Sequence, residues 1–170
     1  LSVNFNTVEV ITRPDAHGDP EVVVMPPSTM TRVDHNLRVG RRHLDVATST
    51  EDGRTVVRVR GSLPAVHAPV VERRRIGDPG LFTGGVGAAE LARQLGESAV
   101  PVVRGRVPEG PQVRIVARHR SAPLPQVLAS AMKYSNNFTT EQVLRTLAWR
   151  ANGRPGDWER GVAVVESYWR

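Results

Sequence analysis

The sequence predicts an α+β protein in which a β-rich part is followed by a helical part. Over about the first 70 residues, apolar and polar residues alternate with a period of two, which is typical of strands with one buried face. From Ser121 onward, apolar residues recur at i, i+3, i+4 and i+7, the spacing of amphipathic helices. One predicted helix, at about residues 80–96, interrupts the β-rich part. We therefore divide the chain into residues 1–118 and residues 119–170.

Short alternating or β-branched runs predict the strands. Thr55–Arg60 is the clearest, because Val57 and Val59 fall on one face while Arg58 and Arg60 fall on the other. The other predicted strands cover residues 3–10, 21–25, 31–39, 43–47 and 112–120, and residues 100–107 are predicted to be extended.

The helices are predicted from apolar stripes and from residues that favour helix ends. Gly96 is expected to end the first helix, and Ser121 is expected to cap the second, with Pro123 in its first turn. The stripes consist of Ala88, Leu91, Ala92 and Leu95 in the first helix, of Leu124, Val127, Leu128, Ala131 and Met132 in the second, of Leu144, Leu147 and Ala148 in the third, and of Trp158, Val162, Val165 and Trp169 in the fourth.

The composition excludes several classes of function. With 39% hydrophobic and 24% charged residues, the chain is typical of a globular domain, and no apolar run approaches the roughly 20 residues of a membrane span. The absence of cysteine excludes disulfides, thiol catalysis and Cys-ligated metals, and the five scattered histidines predict no metal site. No cofactor is expected.

The net charge of +6 is carried mainly by arginine. Such charge suits nucleic acid, an anionic cell-envelope surface, or simply solvated faces. Aromatic residues make up only 5% of the chain and do not alternate with the basic runs, so no base-stacking surface is predicted. We therefore expect no nucleic-acid partner.

Both ends of the sequence lack the usual signals of a natural terminus. The first residues contain no start Met, basic region or apolar region of a signal peptide, and the last residues end within an apolar helical pattern. We expect the chain to be a piece of a longer polypeptide. The sequence does not determine the oligomeric state.

Two glycine-containing stretches resemble catalytic motifs without their context. The stretch TGGVGAAE resembles a dinucleotide fingerprint, but no strand directly precedes it, and Glu90 stands where the third glycine belongs. In GDPG, Pro79 occupies the position of a nucleophilic serine. We interpret the first stretch as a helix entry and the second as a turn.

Two further motifs fall within one stretch of eight residues, 130–137. Both are motifs of serine enzymes that bind penicillin. Ser130 and Lys133 form S-x-x-K, and Ser135 and Asn137 form S-x-N. A serine and a lysine three residues apart on a helix face each other, so the lysine could activate the hydroxyl. However, Ser130 falls in the last turn of its predicted helix, where the helix dipole opposes an alkoxide. This placement favours S-x-N as the functional motif.

Three segments resemble one family, the class C low-molecular-mass penicillin-binding proteins, which are D-alanyl-D-alanine carboxypeptidases/endopeptidases. The stretch LSVNFNTVEV, with Asn4 and Asn6, resembles the family's S-V-N-x-N strand, and IGDPGLFTGGVGAAELARQLG resembles its D-P-x-x-[YF] helix. The alternation of these asparagines with apolar residues is interpreted as sheet polarity. In the segment from residue 119 to 148, the matching residues are His119, Ser121, Pro123, Leu124, Met132, Lys133, Ser135, Asn137 and Glu141.

The resemblance implies a fold and a reaction. Residues 119–170 would form the helical part of a penicillin-binding/β-lactamase-like transpeptidase domain, and residues 1–118 a β-rich inserted region. The reaction would be cleavage of D-Ala-D-Ala or cross-link peptide bonds in peptidoglycan through an acyl-enzyme, in the periplasm or otherwise outside the cytoplasm. Its partners would be peptidoglycan stem peptides, with β-lactams as inhibitors.

The resemblance also implies roles for individual residues. Ser135 would relay a proton to the leaving nitrogen, while Asn137 would hold the substrate backbone and orient a catalytic lysine. For Glu141 we favour a structural role, in which it pairs with a basic group or, with Thr139 or Thr140, shapes a helix start. The family's S-x-x-K precedes its S-V-N-x-N strand and its K-T-G follows S-x-N. The chain contains neither at those places, so it should be inactive alone. The alternative is a non-catalytic envelope-binding or scaffold relative.

Overall fold

The computed structural model describes residues 2–106, 109–115 and 118–170. The chain divides into two compact units, Leu1–Val107 and Pro108–Arg170, and each is described by itself. The first unit contains the strands and one helix, and the second contains three helices, which confirms the α+β class. The assignment of residues 1–118 to an inserted region and of residues 119–170 to a transpeptidase-like domain stays a prediction.

Two three-stranded sheets make up most of the first unit. One sheet has the order β2-β1-β6 with antiparallel pairing throughout, and the other has the order β3-β5-β4, in which β3 runs parallel and β4 antiparallel to the central β5. The elements of this unit are β1 (Thr7–Pro14), β2 (Pro20–Met25), β3 (Thr31–Val39), β4 (His43–Glu51), β5 (Arg54–Leu63), β6 (Val70–Arg75) and α1 (Pro79–Leu95).

The core of the first unit draws on both sheets and on α1. The predicted alternation of β5 is confirmed, because Val57 and Val59 are fully buried while Arg58 and Arg60 are only partly covered. Val57 and Val59 belong to one apolar cluster with Val8, Val10, Val46, Ile76 and Phe82. This cluster uses residues far apart in the chain, so it fixes the two sheets and α1 into one body.

Helix α1 begins and ends with residues suited to those positions. The Asp78 carboxylate accepts a hydrogen bond from the Leu81 N–H at 3.1 Å, and Pro79 occupies the first helical position. Gly96, with φ of 68°, ends the helix by donating its N–H to the Ala92 carbonyl, as the sequence predicts. GDPG was interpreted as a turn, but its last two residues, Pro79 and Gly80, already belong to α1.

The first strand starts four residues later than predicted and continues to Pro14. Residues 3–10 were expected to be one strand, but Asn4 and Asn6 lie in a 3-10 turn, with φ of 48° and 58°, and pairing starts at Thr7. The Asn4 amide donates to the Thr7 carbonyl, and the Thr7 hydroxyl donates to the Asn4 carbonyl. Asparagine tolerates the left-handed region and bonds its local backbone, which outweighs the alternating pattern. The interpretation of these asparagines as sheet polarity is wrong.

Strand β6 was missed in the sequence because it carries charged residues on its inner face. Val8 pairs with Arg74 and Val10 with Glu72, so both charged side chains point the same way as the buried valines. They form an ion pair at 2.8 Å, and the Arg74 guanidinium also donates to the Val46 carbonyl. Paired charges can occupy such a position, but they hide the strand from an analysis of hydrophobic periodicity.

The predicted strand at residues 112–120 is wrong where the structure describes it. Residues 112–115 and 118–120 belong to no strand, and residues 116 and 117 lie outside the described ranges. Gly110, with φ of 144°, accepts from the Val113 N–H and makes a turn there. Residues 101–106 are likewise in no sheet, and Val107 lies outside the described ranges. Alternation alone does not make a strand when no partner strand is available.

The second unit consists of α2 (Leu124–Lys133), α3 (Asn137–Asn152) and α4 (Trp158–Trp169). These positions confirm the three helices predicted from the apolar stripes. Ser121 does not cap α2, since its hydroxyl donates to the Ala122 carbonyl and Pro123 occupies the cap position. Pro123 lacks an N–H and suits the entry to a helix, whereas Ser121 lies two residues before the cap position.

Helices α3 and α4 approach closely through glycine. Gly161 is buried, and a β-carbon there would collide with the side chain and backbone carbonyl of Leu144. A β-carbon at Gly156 would meet the Arg145 carbonyl in the same way. Among residues 109–115 and 118–170, the only buried residues are Ala131, Ala148 and Gly161. Close approach of the backbones therefore joins α3 and α4. None of the described helices has the length and apolar character needed to cross a membrane.

Candidate active site

The S-x-N motif occupies the tight link between α2 and α3. Ser135 has φ of 51°, in the left-handed region that glycine usually fills at a helix end. The Asn136 N–H donates to the Ala131 carbonyl at 2.9 Å, and the Ser135 N–H donates to the Met132 carbonyl at 3.3 Å. This pair of bonds is the Schellman arrangement, with serine in the place of glycine. The backbone at Ser135 is therefore fixed in a conformation unusual for its residue type.

Asn136, the middle residue of the motif, starts the next helix. Its side-chain oxygen accepts from the Thr139 N–H at 2.9 Å, so Asn136 is the N-cap of α3. Its backbone carbonyl accepts from both the N–H and the hydroxyl of Thr140, each at 3.1 Å. Asn136 thus closes α2 with its N–H and opens α3 with its side chain.

The outer two residues of the motif are available for binding. Ser135 and Asn137 are both exposed, whereas Asn136 is half-buried. Within the part of the chain that the structure describes, neither the Ser135 hydroxyl nor the Asn137 amide forms a hydrogen bond. Asn137 is the first residue of α3, at the positive end of that helix. The link between α2 and α3 therefore presents the Ser135 hydroxyl and the Asn137 amide, on either side of Asn136.

The competing pair, Ser130 and Lys133, lies at the negative end of α2. Ser130 is in the last turn, as predicted, and its carbonyl accepts from the Tyr134 N–H at 3.1 Å. The Lys133 ammonium lies 5.4 Å from the centre of the Tyr134 ring, a cation–π distance. No hydrogen bond joins Ser130 to Lys133 among the described residues. The geometry gives this serine neither an activating base nor a favourable dipole.

Glu141 has a structural partner. Its carboxylate accepts from the Arg145 guanidinium at 2.7 and 2.9 Å, one helical turn further along α3. This confirms the prediction that Glu141 pairs with a basic group. The described residues contain no group of three or more His, Asp or Glu side chains arranged to hold a metal.

The other two family-like segments act structurally in the first unit. Asp78 caps α1 and forms an ion pair with Arg104, and Phe82 is almost fully buried in the core. Asn4 and Asn6 shape the turn before β1. Sequence reasoning missed the capping role of Asn136 and the left-handed backbone of Ser135. The capping role of Asn136 has a signal in the sequence, an asparagine at the start of a predicted helix. The left-handed backbone of Ser135 has no such signal, because serine is not typical of that conformation.

A family model described as the D-Ala-D-Ala carboxypeptidase 3 (S13) family matches residues 1–169. The chain is 32% identical over 120 residues to the D-alanyl-D-alanine carboxypeptidase of Actinomadura sp. (strain R39), which covers 67% of this chain and 21% of that protein. It is 34% identical over 84 residues to the D-alanyl-D-alanine carboxypeptidase DacB of Haemophilus influenzae. This match covers 47% of this chain and 17% of that protein. The matches thus span about a fifth of each relative.

Solved structures agree in fold. Penicillin binding protein 4 from Haemophilus influenzae, complexed with a β-lactam, superposes with a TM-score of 0.69 at 20% identity, covering 98% of this chain and 38% of that one. A second structure of the same protein gives a TM-score of 0.65 at 21% identity and covers 98% of this chain and 37% of that one. At this identity the likeness establishes the fold alone. The match of the family model over residues 1–169 shows that the chain belongs to the D-Ala-D-Ala carboxypeptidase 3 (S13) family.

Proposed function

We propose that the chain is part of a serine-type peptidase that cleaves D-Ala-D-Ala or cross-link peptide bonds of peptidoglycan through an acyl-enzyme. Family membership supports the reaction class, and the observation that carries it to this chain is the S-x-N motif held on the link between α2 and α3. The curated relatives are far longer than the matched segments, so the activity of the whole protein is inferred from them.

Ser135 is the proposed proton relay. Acyl transfer from a peptide requires a proton on the departing nitrogen, and a hydroxyl both accepts and donates protons. The exposed Ser135 hydroxyl makes no bond to other described residues and sits on a backbone fixed by two hydrogen bonds. A fixed backbone with a free hydroxyl suits a group that must serve the substrate rather than the fold.

Asn137 is the proposed substrate-binding residue. Its amide carries two donors and one acceptor, which match the C=O and N–H of a peptide backbone. The same side chain is proposed to orient the catalytic lysine. Asn137 directly follows the N-cap of α3, so its position depends on the bond between Asn136 and the Thr139 N–H. Asn136 is thus a positioning residue in this proposal.

The nucleophile of the reaction is proposed to lie outside these 170 residues. The sequence contains no K-T-G, and its S-x-x-K at Ser130 lacks the geometry of a nucleophile and base. A penicillin binding protein of Haemophilus influenzae has been crystallised with a β-lactam, which supports β-lactam inhibition of the complete enzyme. We place the protein outside the cytoplasm, where peptidoglycan is found, and in the periplasm where the cell has one.

The test is acylation by a fluorescent penicillin, followed by intact-mass analysis. It compares the 170-residue chain with the product of the longest reading frame that contains it. We expect only the longer protein to be labelled. In that protein, Ser135→Ala should slow turnover of a D-Ala-D-Ala peptide by about 10²–10⁴-fold, the range of general acid–base catalysis. Asn137→Ala loses the proposed contacts to the substrate and the lysine and should slow turnover as well. Ser130→Ala is the matched control and should keep wild-type labelling.

Two results would contradict this proposal. Labelling of the 170-residue chain at Ser130 would make S-x-x-K the catalytic motif. Absence of labelling in both proteins would favour the non-catalytic envelope-binding relative, since that alternative keeps the fold without the chemistry.

A further inference from the structure

The outer face of the β3-β5-β4 sheet is strongly polar. Val57 and Val59 of β5 point into the core, so Arg58, Arg60 and Ser62 lie on the opposite face. Their partners on the neighbouring strands are also polar or small. These partners are Asp34, Asn36 and Arg38 on β3 and His43, Asp45 and Ala47 on β4.

Charges are paired at the end of this face that adjoins the β4–β5 turn. Glu51 accepts from Arg32 at 2.7 Å and also from Arg58, which in turn donates to the Ser49 hydroxyl. The bond from Arg58 is the main reason why the pKa of Glu51 lies below its ordinary value. At this end, Glu51 is thus paired with both Arg32 and Arg58.

At the opposite end, three arginines have no such partners. Arg38, Arg41 and Arg42 lie in or beside the short connection from β3 to β4, and all three are exposed. None of them forms an ion pair with any described residue. Of the other two carboxylates on this face, Asp34 already accepts from Arg60 at 2.7 Å. The other, Asp45, faces Arg60 across the strands. Positive charge is therefore in excess at this end.

The excess charge borders a shallow depression. Its volume is about 350 Å³, and it is lined by Asn36, Arg38, Arg60, Gly61 and Ser62. The floor is rigid for two reasons. The Ser62 hydroxyl donates to the Arg41 carbonyl, and Gly61, with φ of 129°, lets the backbone of His43 approach more closely than a β-carbon would allow. Donor groups thus surround a space of fixed shape.

We propose that this depression binds an oxyanion group, carboxylate or phosphate, of an anionic envelope polymer. The planar guanidinium fork of Arg38, which forms no ion pair with described residues, matches such a group in a bidentate manner, and the Asn36 amide adds a further donor. Arg60 donates to Asp34 and so contributes to the lining without a free fork. Arg41 and Arg42 contact neighbouring anionic groups along the polymer. The envelope origin of the polymer rests on the proposed function, whereas the oxyanion chemistry rests on the depression itself.

The test is fluorescence anisotropy of the 170-residue chain with three labelled polymers of equal length: poly-γ-D-glutamate, polyphosphate and neutral dextran. We expect saturable binding to one or both anionic polymers and none to dextran. Preference for polyglutamate identifies carboxylate as the group bound, and preference for polyphosphate identifies phosphate. The double variant Arg38→Gln/Arg42→Gln should weaken binding by at least about tenfold and lower the slope of log Kd against log salt by about two.

The matched control is Arg114→Gln/Arg120→Gln, which removes the same charge from exposed positions of the other unit that form no ion pair with described residues. It should change the affinity less than about twofold if binding is local. Arg38→Lys keeps the charge but loses the guanidinium fork, so it should weaken binding severalfold.

Three results would overturn the proposal: no binding to either anionic polymer, an equal loss in the two double variants, or wild-type affinity of Arg38→Lys. Because no turnover is measured, these results are separate from the penicillin-labelling test of the proposed function.

Discussion

The N–H of Asn136 donates to the carbonyl of Ala131 at 2.9 Å, and Ser135 lies inside the loop that this bond closes. The bond reverses the chain between α2 and α3 and holds Ser135 in the left-handed region. L-residues adopt that region at a cost of about 1–2 kcal/mol. Strain of this kind is kept where the surrounding structure enforces it, and here it coincides with the motif shared with penicillin-binding enzymes.

Replacing Ser135 by glycine should separate stability from activity. Glycine adopts the left-handed region freely, so Ser135→Gly should raise the free energy of unfolding by roughly 0.5–1 kcal/mol, after allowing for the greater freedom of glycine in the unfolded chain. Thermal and urea unfolding of the 170-residue chain measure this gain. In the longer enzyme the same substitution should abolish most peptidase turnover. Ser135→Ala keeps the strain and should change stability little; equal stability of the Gly and Ala variants would disprove strain at this position.

Removing the side chain of Asn136 should weaken the start of α3. Asn136→Ala loses the bond to the Thr139 N–H and should lower the free energy of unfolding by about 1 kcal/mol, the usual effect of losing an N-cap. Asn136→Asp keeps the acceptor and adds a charge that the helix dipole favours, so it should retain wild-type stability. Circular dichroism during urea unfolding measures both. The capping role is refuted if the two variants are equally destabilised.

A β-carbon at Gly161 should separate α4 from α3. Gly161→Ala collides with the backbone of Leu144, which cannot move as a side-chain tip can, and should lower the free energy of unfolding by about 1–3 kcal/mol. Gly87→Ala is the matched control, since it lies in α1, is exposed and has no atom within 4 Å of the added β-carbon. That change should be stabilising by up to about 1 kcal/mol. Calorimetry should show changes in stability of opposite sign for the two variants. A change of the same sign in both would contradict close contact between α3 and α4.

The stability of α1 should depend on acidic pH through Asp78. The hydrogen bond from the Leu81 N–H, and then the bond from Arg104, lower the pKa of this carboxyl below its ordinary value of 3.8. A group with a lowered folded-state pKa contributes stability that is present above 3.8 and is lost as pH falls through the folded-state pKa. We expect wild type to exceed Asp78→Asn in melting temperature at pH 6 and this difference to shrink as the pH is lowered toward 2, which calorimetry across this range measures. A constant gap would exclude the carboxylate as the cause.

The elements that the sequence predicts well are those whose periodicity reflects a single buried face. Val57 and Val59 mark β5 because burial on one side leaves a regular pattern. The pattern fails where local hydrogen bonds or charge pairs replace apolar contact, as at Asn4 and at Glu72. Within the candidate site, the motif letters were readable from the sequence. The left-handed turn at Ser135 could not be predicted in this way, because it arises from two backbone N–H bonds that residues other than proline can all make.

The placement of β5 between β3 and β4 has a consequence for the order of folding. Strands β4 and β5 are joined by Asp52 and Gly53, both with positive φ, a turn that matches the twist of a two-stranded ribbon and forms from local contacts alone. Strand β3 precedes both, yet it must reach past β4 to align Thr31 with Thr55 in parallel register, which requires closure of a longer loop. We expect the β4–β5 ribbon to be the template on which β3 assembles last. The arginines of the β3–β4 connection would then gather at one end of the sheet only when this unit completes its fold.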